Sequence, residues 1–164
     1  MPQRYIDTTL FDLFKVGPGP SSSHTIGPMK AGHHFAETCA ALPRDLLVRA
    51  VRFRVRLYGS LSATGTGHGT DAAVVAGLLG TAPESCPAGL LQELMDDPHT
   101  RRKRSLGDGQ VSVCVDDVSH DAIIHDFPYS NTLVADLLDA EDKVLHSQEY
   151  YSVGGGFIQW KGWE

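Results

Sequence analysis

No apolar run in this chain approaches the roughly 20 residues that a bilayer-spanning helix needs. The opening MPQRYIDTTLFDLF lacks the apolar core of a secretory signal, so a cytoplasmic location is expected. Cysteine is scarce. Cys39, Cys86 and Cys114 are an odd number at wide spacings, with no CxxC pair. That pattern argues against a disulfide framework and against an iron–sulfur cluster held by this chain's own thiolates. Cys39 and Cys114 read as small buried hydrophobes, and Cys86, beside Pro87, as a loop residue. Positive charge is also short: 14 Lys and Arg against 20 Asp and Glu leave a net charge of -6. Such a balance weighs against nucleic acid or an anionic membrane as partner. His99, His120, His125 and His146 show no ligand spacing with carboxylates or cysteines, and His33 and His34 are adjacent on a predicted helix, so no zinc site is expected. Neither GxxxxGK[ST], nor GxGxxG after a strand, nor a GxSxG elbow occurs.

What is present suits one globular domain over 1–164, with a core of about 9–158. Thr8 or Thr9 to Gly17 predicts a short helix. Pro28 opens a second helix that Pro43 closes. Val51, Phe53, Val55 and Leu57 alternate with Arg52, Arg54 and Arg56, which predicts a strand with one core face and one arginine face. Asp71 is expected to cap a compact apolar helix ending at Gly80. A short helix follows Pro87, and Arg101–Arg104 fall in an expected solvated loop. VSVCVDD and AIIHDF read as strands. Thr132 to Val153 reads as a hairpin turning at Ala140–Asp142, with a helix over Leu133–Leu145 as the competitor. The order predicts an α+β fold, an α/β sandwich in which a mixed sheet carries helices on one side.

Three stretches have the residue types of a small-molecule site. GPGPSSSHTIGPMKAG, Gly17–Gly32, puts four glycines, three prolines, four hydroxyls and one histidine into sixteen residues. Ser21, Ser22, Ser23 and Thr25 offer hydroxyls. Gly17, Gly19 and Gly27 admit close backbone approach, and a predicted helix start favours an anion. His24 adds charge or a proton. A plain Ser/Pro turn is the alternative. GSLSATGTGHGTD repeats the logic with Ser60, Ser62, Thr64, Thr66 and Thr70. Its His68, between two glycines, suits a general acid or base. Here the alternative is a capping loop with an exposed histidine. YYSVGGGFI brings Tyr150, Tyr151 and Ser152 up to Gly154–Gly156, where close contact with a ligand or another chain competes with a domain-ending linker.

Together LFDLFKVGPGPSSSHTIGPMKAG, YGSLSATGTGHGTDAAVVAGLLG and YYSVGGGFI resemble, in order and across Leu10 to Ile158, the N-terminal or beta domain of bacterial iron–sulfur-dependent L-serine dehydratases. The resemblance implies conversion of L-serine to pyruvate and ammonia. It also implies a four-iron, four-sulfur cluster carried by a separate catalytic domain or subunit, so that this chain is a fragment or one subunit. There the cluster's open iron would act as a Lewis acid on the serine hydroxyl. By match to the family's motifs, His68 with Thr70 would handle the proton. Ser21, Ser22, Ser23, His24, Thr25, Ser60, Thr64 and Asn131 would bind the substrate or its carboxylate. Tyr151, Ser152, Gly154 and Gly155 would face the catalytic domain, and no metal would bind to this chain. Where the family writes Gly-Ile/Leu-Gly-Pro, this chain has Gly17-Pro18-Gly19-Pro20. A His-Pro-Asn-like segment becomes FPYSNT, Phe127–Thr132, in which Asn131 matches and the histidine is missing or shifted to His125. The fold implied is that of the allosteric substrate-binding domain of some D-3-phosphoglycerate dehydrogenases. A homodimer is expected. A serine- or anion-sensing regulatory module and a purely structural interface domain are the alternatives to a half-enzyme.

Overall fold

The computed structural model describes Pro18 and Ser21–Trp163. The helix predicted at Thr8–Gly17, together with Gly17, Gly19 and Pro20, lies outside the described residues. Seven strands form one mixed sheet, on which six run β2-β3-β1-β5-β6-β7 while β4 pairs with β1. They are β1 (Arg52–Gly59), β2 (Arg102–Leu106), β3 (Gly109–Val113), β4 (Val118–His120), β5 (Asn131–Leu138), β6 (Val144–Gly154) and β7 (Phe157–Trp160). The helices are α1 (Gly27–Ala40), α2 (Arg44–Leu47), α3 (Ser60–Thr64), α4 (Thr70–Leu78) and α5 (Leu90–Asp96). The fold is therefore mixed α+β. No helix is long and apolar enough to cross a membrane among the described residues.

The alternation in β1 does what its period predicts. Phe53, Val55 and Leu57 are buried in a core shared with Phe35 and Cys39 of α1, Ala72–Ala76 of α4, and Leu133, Ala135 and Leu137 of β5. Arg54 and Arg56 line the opposite face, where both meet Asp136, whose carboxylate is buried. Arg52 reaches Asp117 and Asp142. All nine residues of α4 are buried, which is why its sequence from Ala72 to Leu78 is apolar all round. It crosses α1 at two glycines. A Cβ on Gly77 would stand 2.1 Å from the Met29 carbonyl oxygen, and one on Gly32 would stand 2.4 Å from that of Val74. The bare backbones let the two helices, and the segments at their N-termini, approach closely.

Several expectations are corrected. Arg101–Arg104 are not a solvated loop: β2 begins at Arg102, and the charges are spent on distant carboxylates, Arg101 on Asp117, Arg102 on Glu93 and Arg104 on Glu37. AIIHDF is not a strand. The strand there is β4, parallel to β1, and Ile123 and Ile124 beyond it are exposed. Asp71 does not cap α4. Gly69, in the left-handed conformation at φ 68°, precedes the helix without a side-chain cap. The hairpin prevails over the helix at Leu133–Leu145. β5 and β6 pair antiparallel, and the Asp139 carboxylate accepts from the amides of Glu141 and Lys143 in the turn.

Candidate functional site

The hydroxyl-rich stretch is itself helical. Ser22–Ile26 forms a π-helical turn that continues into α1, so the helix starts earlier than Pro28 suggests. Ser21 caps it, its hydroxyl accepting from the His24 amide at 3.3 Å. Single π turns are rare and frequent at functional sites. The second stretch breaks into α3, a 3₁₀ turn at Thr66–His68, and α4. It starts where Gly59, at φ 61°, ends β1; a Cβ there would lie 2.0 Å from the Ser130 carbonyl oxygen.

Two buried threonines tie these segments together. The Thr25 hydroxyl donates to the His68 carbonyl at 3.0 Å, and the Thr70 hydroxyl donates to the His24 carbonyl. Both threonines are completely buried. Each segment thus holds the backbone of the other's histidine, and the two imidazoles face one another at 5.1 Å between ring centroids. Thr70's hydroxyl is committed to this brace. Ser152, from β6, adds a third tie by donating to the Ser23 carbonyl at 2.7 Å.

The His24 ring lies between hydroxyls, with Nδ1 2.8 Å from Ser23 Oγ and Nε2 2.9 Å from Ser60 Oγ. Hydroxyls can donate or accept, so a neutral ring is fully served. Burial, reinforced by repulsion from His68, lowers its pKa below the ordinary value. The His68 ring is half-buried, and its Nδ1 is enclosed without a hydrogen-bond partner. Asn131 also has a buried side-chain oxygen, Oδ1, without a partner. It stands opposite Gly59 in the β1–β5 register, on the helix-covered face that Leu57 and Leu133 share. Buried polar atoms are paired in nearly all native structures, so unpaired ones at a hydroxyl-lined site mark places for a ligand or water to fill.

The other predicted residues divide. Ser21 and Ser23 contact each other at 3.3 Å, while Ser22 makes no side-chain hydrogen bond to the described residues. The Thr64 hydroxyl turns back to the Ser60 carbonyl at 2.9 Å within α3. Tyr151 is buried, with its hydroxyl on Glu149, and Ser152 is buried too. Gly154 and Gly155 adopt φ of 95° and 58° in the turn to β7, which glycine alone takes without strain. The His125 ring folds its own segment, Nδ1 accepting from the Phe127 amide at 3.1 Å. Ile124, His125, Phe127, Tyr151 and Lys161 line a separate groove of about 660 Å³ that includes none of His24, Ser60, His68 and Asn131. One pair escaped the sequence reasoning. His120 meets the Asp71 carboxylate at 2.9 Å, across 49 residues with no motif linking them.

Residues 9–163 match the family described as serine dehydratase beta chain. The chain belongs to that family. L-serine dehydratase 2 of Escherichia coli (strain K12) is 41% identical over 156 residues, covering 92% of this chain and 33% of that protein. L-serine dehydratase of Streptomyces coelicolor is 40% identical over 155 residues, with the same coverage. L-serine dehydratase 1 of Escherichia coli (strain K12) is 39% identical over 163 residues. The chain spans about a third of the length of the curated relatives it matches. Among its described residues no group of three or more His, Cys, Asp or Glu could hold a metal ion, and buried Cys39 and Cys114 do not converge with Cys86 on one center. The donor set therefore does not fit an iron–sulfur cluster.

Proposed function

We propose that this beta chain forms one wall of an L-serine dehydratase active site, which converts L-serine to pyruvate and ammonia. The other wall, with the cluster that the family resemblance implies, would belong to a catalytic domain or subunit outside this chain. The observation that carries the proposal is the unpartnered His68 nitrogen beside the hydroxyl-served His24 ring. Conversion of serine to pyruvate removes the α-proton and the β-hydroxyl together as water, and hydrolysis of the resulting aminoacrylate then releases ammonia. His68 takes the α-proton, and its two flanking glycines leave room for substrate: nothing lies near the Cβ positions of Gly67 and Gly69. Ser23, His24, Ser60 and Asn131 offer hydrogen bonds for the carboxylate and amine. Thr25, Thr70 and Ser152 hold the frame. Tyr151, Gly154 and Gly155 lie near the surface that would meet the catalytic domain. We further take the chain to be one domain of the small-ligand-sensing type found in some D-3-phosphoglycerate dehydrogenases, acting in the cytoplasm as part of a homodimer.

The test is reconstitution. The chain mixed anaerobically with its cluster-bearing counterpart should give serine-dependent pyruvate. His68→Ala should lower turnover by about 10²–10⁴-fold, the usual contribution of a positioned base. Full activity from the counterpart alone would overturn the proposal.

A further inference from the structure

His120, at the end of β4, has two ring nitrogens facing acceptors only. Nδ1 is 2.9 Å from the Ser62 carbonyl oxygen of α3. Nε2 is 2.9 Å and 3.0 Å from the two Asp71 carboxylate oxygens of α4. A neutral imidazole carries one N–H and can satisfy only one of these sides; the imidazolium satisfies both. His24, served by hydroxyls on both nitrogens, is the contrasting case. Gly65 lies against the His120 ring: a Cβ there would be 3.2 Å from Cε1. The Gly65 carbonyl in turn accepts from the amides of His68 at 3.1 Å and Thr70 at 3.0 Å. It is the hub of the turn that presents His68.

We infer that His120 is a positioning residue for His68, an imidazolium clamped between the Ser62 carbonyl and the Asp71 carboxylate that fixes the Gly65–Gly69 turn. The inference rests on the serine dehydratase assignment above for the role of His68, but not for the clamp itself. Asp71 and neighboring Asp121 are the charges acting on the ring. Burial opposes the cation, the Asp71 hydrogen bond outweighs it with help from the Ser62 carbonyl and Asp121, and the net shift of the pKa is upward. The clamp is therefore complete below the ordinary value of 6.5 and released as pH rises through the elevated folded value.

The experiment is an NMR titration of the chain, without serine or a partner. The His120 ring should show both nitrogens protonated at pH 6.5 and titrate above that value. The Gly65, Gly67 and Gly69 amide signals should move with the same midpoint. Asp71→Asn should lower both midpoints together. His120 titrating at or below 6.5, or loop signals that stay flat while His120 titrates, would overturn the inference. Neither result depends on catalysis, so failed reconstitution with an intact clamp would count against the proposed function alone.

Discussion

Replacing Gly77 by alanine tests the geometry on which the site depends. Helix propensity alone predicts a gain of about 1 kcal/mol. The packing predicts the opposite. The new methyl would lie 2.1 Å from the Met29 carbonyl oxygen and 2.8 Å from the His33 amide nitrogen. Ordinary carbon–oxygen approach is about 3.3 Å, so α1 and α4 must part by roughly 1 Å. Both obstacles are backbone, and no rotamer change relieves them. Overpacking costs about 1–3 kcal/mol; two clashes with backbone put this site in the upper half of that range, and the propensity gain offsets about 1 of it. Gly77→Ala should therefore lose about 1–2 kcal/mol in urea unfolding, with a lower midpoint and an unchanged slope. The same displacement should weaken the nuclear Overhauser contact between the His24 and His68 rings, because each helix carries half of the threonine brace. A midpoint that rises or stays put would refute the close crossing.

Asp136→Asn removes the counter-charge of Arg54 and Arg56, which approach its carboxylate at 2.6 Å and 3.2 Å. The arginines are one-third exposed, so the loss in urea unfolding should be about 3 kcal/mol, at the low end for a broken buried pair. Thr70→Val leaves the buried His24 carbonyl without its donor and should cost about 1–2 kcal/mol by the same assay, while Thr70→Ser should restore most of it. His24 should titrate below 6.5 by NMR, and His68→Ala should raise its midpoint by removing the repulsion. Because the folded state resists protonating His24, its contribution to stability is present above 6.5 and is lost below it, as pH falls through the lowered folded value.

Period-two patterning made β1 legible, since Phe53, Val55 and Leu57 need one face and the arginines the other. Punctuation marked much of the rest: Pro43 after α1, and the polar Asp139–Asp142 turn between β5 and β6. Charge misled at β2, because Arg101, Arg102 and Arg104 each find a carboxylate on another segment, Asp117, Glu93 and Glu37. Hydrophobicity misled at AIIHDF, where Ile124 is 93% exposed. The three motifs gave residue types and order but not the contacts between segments. Thr25 and Thr70 look like ligand hydroxyls in sequence. In the structure both are buried, and their hydroxyls donate to carbonyls 43 and 46 residues away, contacts that no local pattern registers. His120 and Asp71 gave no signal because helical and strand periodicities do not register a pair that meets through the parallel β1–β4 contact.

The Ser152–Ser23 hydrogen bond joins residues 129 apart in the chain. Contacts of such span form only after the intervening loop entropy has been overcome, and chains dominated by them fold slowly. A chain still emerging from the ribosome, or cut between α5 and β6, holds the histidines but lacks this last tie. The frame around the two histidine segments is therefore complete only once β6 has joined the sheet.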